Sequence, residues 1–233
     1  MKRFYKSVST EGLDGGYRVM LDKRPVRSPG GKELFLPSKV LAECIAREWD
    51  IQGQTIIPSG MPMMSLAVTA IDRVTPQRDY VVRTIAAYGG SDLLCYRAED
   101  PIELGGRQAK LWQPLLDWCA ENHGATLMVT VGIMPISQSL DALDAIKQAV
   151  DEYDDFALAA LYEIVSTLGS VVIGLAISGG HISVEEGVKA ALLEEYFQIE
   201  RWGEDKEASE RRNYLCREVG NAAEFQKLAR ILN

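Results

Sequence analysis

The chain is 233 residues long, 47% hydrophobic and 25% charged, a balance that supports a buried core and excludes general disorder. Its formal net charge of -8 works against unaided nucleic-acid binding, which needs basic patches to neutralise phosphates. The longest apolar stretch, Val171 to Ile177, falls far short of the roughly 18 residues that a membrane-crossing helix needs, so no membrane insertion is expected.

The first third reads as strands and turns. Phe4-Tyr5-Lys6-Ser7-Val8 predicts a short strand before the Asp14-Gly15-Gly16 turn, and Tyr17 to Leu21 alternates as a half-buried strand does. Pro25, Pro29, Gly30 and Gly31 punctuate the chain before Leu34-Phe35-Leu36 extends it again. Ser38 then caps a helix whose Leu41, Ile45 and Trp49 share one face, and which ends near Gly53. A small sheet-containing domain over residues 1–65 is the expectation, followed by a larger and mostly helical domain over residues 66–233. The fold class expected is therefore α+β.

Beyond Pro62 helical patterns dominate. Thr75-Pro76 predicts a capped helix start running to about Tyr88, and further helices are expected from Gly106 to Asn122, Ser139 to Glu152 and Asp154 to Leu168. Thr126 to Val131 reads as a strand. The stretch 171–178 is apolar on every side and must be buried, as helix or as strand. Ser183-Val184-Glu185-Glu186 is a capping box that opens a long helix to Trp202, and a last helix spans Lys206 to Leu232.

Catalytic signatures are sparse. Two histidines, His123 and His181, each stand beside a glycine where a helix stops or restarts, which suits a surface or capping role better than catalysis. Cys44, Cys95, Cys119 and Cys216 are too scattered for a zinc site or redox motif, and are expected as free, buried thiols in a reducing compartment. No phosphate-binding loop and no nucleophile elbow are present, so neither an ATPase nor a serine hydrolase is indicated, and no cofactor or metal is expected. In the late helix, Glu194 shares a face with Gln198 and Glu195 with Ile199, so one carboxylate at least can lie beside apolar surface.

Several segments in order carry a resemblance: Lys2-Arg3-Phe4-Tyr5-Lys6, Leu21-Asp22-Lys23-Arg24-Pro25 with Ser28-Pro29, and Leu36-Pro37-Ser38 with Leu41-Ala42. Glu48-Trp49-Asp50-Ile51-Gln52, Met61-Pro62, Ala70-Ile71-Asp72 and Asp92 to Arg97 follow, then Gln108 with Trp112, Glu194-Glu195, and Gln198 through Gly203. The ordered set resembles the assembly chaperones for the alpha subunit of the F-type ATP synthase, found in mitochondria and in some bacteria. That resemblance implies a chaperone without enzymatic activity whose partner is the unassembled alpha subunit, shielded until the beta subunit replaces it. It also implies an acidic residue of functional weight on the late helix, at Glu194 or Glu195. Glu194, Glu195, Gln198 and Trp202 are accordingly the expected client-binding residues.

The chain opens directly on the family motif, so a bacterial cytosolic member is expected, or a mitochondrial matrix one if processed. No heptad pattern demands self-association, and a monomer is expected. Two rival functions stand beside this one: a carboxylate-dependent small-molecule enzyme with a pocket between its domains, and a binding module for some other oligomeric client.

Overall fold

In the computed structural model, which describes residues 1–230, β1 (Val8–Leu13) and β2 (Gly16–Leu21) form an antiparallel hairpin with Val8 opposite Leu21. Gly15 makes the turn at φ 80°, a conformation glycine adopts without steric cost. β3 (Arg24–Pro25) pairs antiparallel with β2 and completes a three-stranded sheet in the order β1-β2-β3. The strand expected from Phe4 begins only at Val8. The backbone N–H groups of Lys6 and Ser7 donate to the Asp22 carboxylate, and that of Arg3 to the Gln54 carbonyl, before the chain reaches the hairpin. Leu36 meets the sheet through one reciprocal pair of bonds with Tyr17, at 2.8 and 2.9 Å.

Helix α1 (Lys39–Asp50) starts where Ser38 places it. The Ser38 hydroxyl accepts from the Leu41 N–H at 3.1 Å and donates to the Leu228 carbonyl at 2.6 Å. Leu41, Ile45 and Trp49 are buried on its inner face. The first N–H groups of α2 (Pro62–Thr69), at Met63 and Met64, donate to the buried Glu48 carboxylate at 2.7 and 2.8 Å, an acid set against the positive end of a helix. From α2 the chain runs through π and 3-10 turns over residues 70–77 into α3 (Arg78–Ala86). Thr75 therefore does not cap a new helix. It already lies in helical conformation (φ -51, ψ -48) and donates its hydroxyl to the Ala70 carbonyl, while Pro76, lacking an N–H, loosens the ladder locally.

Strand β4 (Tyr96–Arg97) precedes α4 (Ile102–His123), which Gly124 terminates in the left-handed region at φ 70°. β5 (Thr130–Val131) pairs parallel with β4. The strand expected from Thr126 shrinks to these two residues. At Met128 the backbone N–H and carbonyl are taken by the Gln138 side-chain amide, at 2.7 and 2.9 Å, in place of a neighbouring strand. Helices α5 (Leu140–Asp151), α6 (Asp155–Leu168) and α7 (Val171–Ser178) follow, the last settling the all-apolar stretch as a helix with every residue buried.

The long helix expected from Ser183 to Trp202 is two. The Ser183–Glu186 capping box opens α8 (Val184–Ala191), but at Leu192 the backbone leaves helical values (φ -99, ψ 18) before α9 (Leu193–Trp202) begins. α10 (Lys206–Arg230) completes the described chain, and its expected end at Leu232 lies outside the described residues.

The residues gather into two compact units. One takes Met1–Arg78, Asp154–Ala160 and the described residues from Asn221 onward, with Leu34, Leu36, Leu41, Ile45 and Phe225 in its core. The other takes Asp79–Tyr153 and Leu161–Gly220, with Trp112, Ile146, Ile164 and the whole of α7 at its centre. A small amino-terminal sheet followed by a mostly helical chain makes the fold α+β, as the sequence predicts. Among the described residues no helix is long and apolar enough to cross a membrane.

Candidate functional site

Helix α9 has two sides. Leu193 and Phe197 are buried, and the guanidinium groups of Arg107 and Arg201 lie 5.1 and 4.3 Å from the centre of the Phe197 ring. Arg107 pairs with Glu200 at 2.6 Å and with Glu103 at 2.9 Å, and Arg201 with Glu103 at 3.1 Å. Bonds from Arg201 and Arg107 hold the Glu103 carboxyl below the usual range. The other side of α9 carries Glu194, Gln198 and Trp202 at helical i, i+4, i+8 spacing, all three exposed and Trp202 by 78%.

The two adjacent acids are placed differently. Glu194 accepts one hydrogen bond, 2.7 Å long, from the side-chain amide of Gln108. Gln108 is fully buried on α4, and its own amide oxygen accepts from the Ala98 N–H at 2.7 Å, which turns the NH2 group toward Glu194. Arg97 donates to the Gln108 backbone carbonyl at 2.7 Å, lies 5.1 Å from the Trp112 ring, and has its pKa lowered by burial. Trp112 in turn donates to the Ala190 carbonyl at 2.8 Å. A chain of buried polar contacts thus fixes where the Glu194 carboxylate emerges.

Glu195 points the other way, into α10. It pairs with the buried Arg212 at 2.7 Å and with Arg211 at 3.1 Å, and Arg212 also reaches Glu204 at 2.6 Å. The bond from Glu195 is the main reason the Arg212 pKa is raised. Three of the four predicted site residues therefore share one stripe, and Glu195 braces α9 against α10. In the sequence Gln108 is legible only as a motif residue. Its partnership with Glu194, 86 positions away, has no local signature.

All four cysteines are free thiols, but only Cys95 and Cys119 are buried; Cys44 and Cys216, expected to be buried too, are half-buried on helices whose outer faces meet solvent. Burial pushes the thiols of Cys95 and Cys119 up to about 12, far from the range of a reactive thiolate. The His181 ring stacks on Trp118 at 4.8 Å, and His123 meets the same indole edge-on at 5.1 Å. Among the described residues no group of three or more His, Cys, Asp or Glu side chains is placed to hold a metal ion.

Comparison with known proteins agrees with this architecture. The sequence profile of the family described as "ATP12 chaperone protein" matches residues 2–120. Protein atp12, mitochondrial, from Schizosaccharomyces pombe is 27% identical over 221 residues, spanning 90% of this chain and 76% of the yeast protein. The crystal structure of Atp12 from Paracoccus denitrificans superposes with a TM-score of 0.94 at 38% identity over 98% of both chains. An aspartate-to-lysine mutant of the P. denitrificans protein superposes equally well. On its ordered motifs, matched profile and shared architecture, the chain belongs to the ATP12 chaperone family, a family of ATP synthase assembly chaperones.

Proposed function

We propose that this protein binds the unassembled alpha subunit of an F-type ATP synthase and shields its exposed subunit interface until the beta subunit replaces it. Subunits of obligate assemblies carry strongly apolar contact surfaces, which self-associate when left uncovered. A chaperone for such a surface acts by binding rather than by catalysis. It needs moderate affinity, a defined register and the ability to give way to the proper neighbour. Residues 66–233 supply the binding surface, as a monomer in the bacterial cytosol.

The observation that carries this reading to particular residues is the contrast between the two acids of α9. Glu195 is balanced by two arginines of its own chain, whereas Glu194 is held at the surface by the neutral amide of Gln108. Glu194 pairs with a basic group of the client, and Gln198 and Trp202 on the same stripe add polar and apolar contact. A charge pair of this kind fixes register more reliably than it adds affinity.

Co-expression with the alpha subunit, followed by pull-down, tests the assignment. Glu194→Lys is expected to lower recovery of soluble client about tenfold or more, and Glu194→Gln by less. Glu195→Lys is expected to act mainly by loosening α10, seen as a lower unfolding midpoint. If folded Glu194→Lys protein recovers the client as well as the parent does, the assignment is lost.

A further inference from the structure

The stretch from β5 to α5 carries several uncovered apolar side chains. β5 pairs with β4, and Gln138 satisfies the Met128 backbone, yet Val131, Ile133 and Met134 are 60%, 95% and 71% exposed. Ile102, the first residue of α4, is 85% exposed. Exposed apolar side chains gathered in one short segment mark an interaction surface more often than chance decoration.

Ile133 also lines a cleft of about 630 Å3 whose other apolar walls are Tyr96, Ala98 and Leu104. The same cleft carries three carboxylates, Glu99, Asp100 and Glu194, against one cation, Arg97. Arg97 is 7% exposed, and its guanidinium is turned to the Gln108 carbonyl and the Trp112 ring. The cleft thus has half-buried and buried apolar walls at Tyr96, Ala98 and Leu104, one exposed apolar residue at Ile133, and an exposed, net negative set of acids that includes Glu194.

We infer that this cleft and the apolar segment beside it take up a client polypeptide segment in which a Lys or Arg side chain is flanked by apolar ones. The flanking side chains cover Ile133 and Met134, and the cation enters among Glu99, Asp100 and Glu194. This deepens the client reading above and rests on it.

The test uses the full chain, the double variant Ile133→Ser/Met134→Ser, and Glu99→Gln, all at exposed positions and each checked for fold by circular dichroism. Two probes are titrated: recombinant alpha subunit, and a labelled peptide Leu-Val-Arg-Val-Leu with its Leu-Val-Glu-Val-Leu counterpart. The parent is expected to bind the subunit and to prefer the arginine peptide, the double variant to lose about tenfold or more on both, and Glu99→Gln to lose the preference between peptides. If the parent binds the subunit and the double variant binds it equally well, the cleft is overturned while the client reading stands. If the parent ignores the subunit but binds the arginine peptide through this segment, the client reading falls and the cleft keeps its ligand chemistry. Sedimentation showing self-association that the double variant abolishes would make a second copy the occupant and overturn the inference.

Discussion

Asp92 shows how much a single buried carboxylate can impose. It is fully buried and accepts from the Leu94 N–H, the Ser170 hydroxyl and the Val172 N–H at 3.0, 2.8 and 3.2 Å. Burial outweighs those bonds and pushes its pKa up from the usual 3.8 to about 6. Between those values the native state binds more protons than the unfolded one, so this group's contribution to stability falls as pH rises through the window. The ionised form costs about 3 kcal/mol once pH exceeds the upper value. In urea melts of the parent and of Asp92→Asn, the difference should therefore shift toward the parent between pH 7 and pH 4.5. A constant difference would mean that the carboxylate titrates near its ordinary value in the folded chain. The acids of α9 teach a related lesson. Glu194 and Glu195 are indistinguishable in sequence, and only partners supplied by distant elements, Gln108 for one and Arg212 for the other, give them separate jobs.

Among the elements, α7 depends on the absence of a side chain. A Cβ at Gly174 would collide with the Val165 side chain of α6, and a β-branched residue on a helix has little rotamer freedom with which to yield. Gly174→Ala gains up to about 1 kcal/mol of helix propensity and meets about 1–3 kcal/mol of overpacking. The expected net effect is a loss of stability, read as a lower urea midpoint at unchanged slope. The elements also show where sequence is informative. Ser38, Ser139 and Ser183 announce α1, α5 and α8 because a cap is local: hydroxyl and N–H lie three residues apart. Thr75 has the same chemistry but follows a helix already running, so its hydroxyl turns back to Ala70. The break at Leu192 was hidden because apolar residues at helical spacing run through it, from Ala190 to Leu193 and Phe197 at steps of three and four. The stripe of Glu194, Gln198 and Trp202 was legible as spacing, whereas the cleft beside it was not. That cleft joins residues 96–104, Ile133 and Glu194, which only tertiary packing brings together.

For the whole molecule, the formal net charge of -8 has a kinetic meaning if the client meets it with basic side chains. Encounter would be steered by the field of the whole chain, and steering is screened by salt. The association rate with the alpha subunit is expected to fall about tenfold between low and physiological-plus salt, with the dissociation rate changing less, in stopped-flow or surface-binding measurements. A salt-independent association rate would place recognition in apolar contact alone. A second whole-molecule property follows from α7, whose eight residues are all buried. Amides in such a helix exchange with solvent only when the surrounding unit opens completely, whereas amides near exposed Ile133 and Trp202 exchange through small local openings. Deuterium uptake would therefore run on two clocks in one chain. The slow clock, in α7, reads how rarely its whole unit opens, and the fast one, along α9 and residues 128–134, is the clock that a bound client would stop.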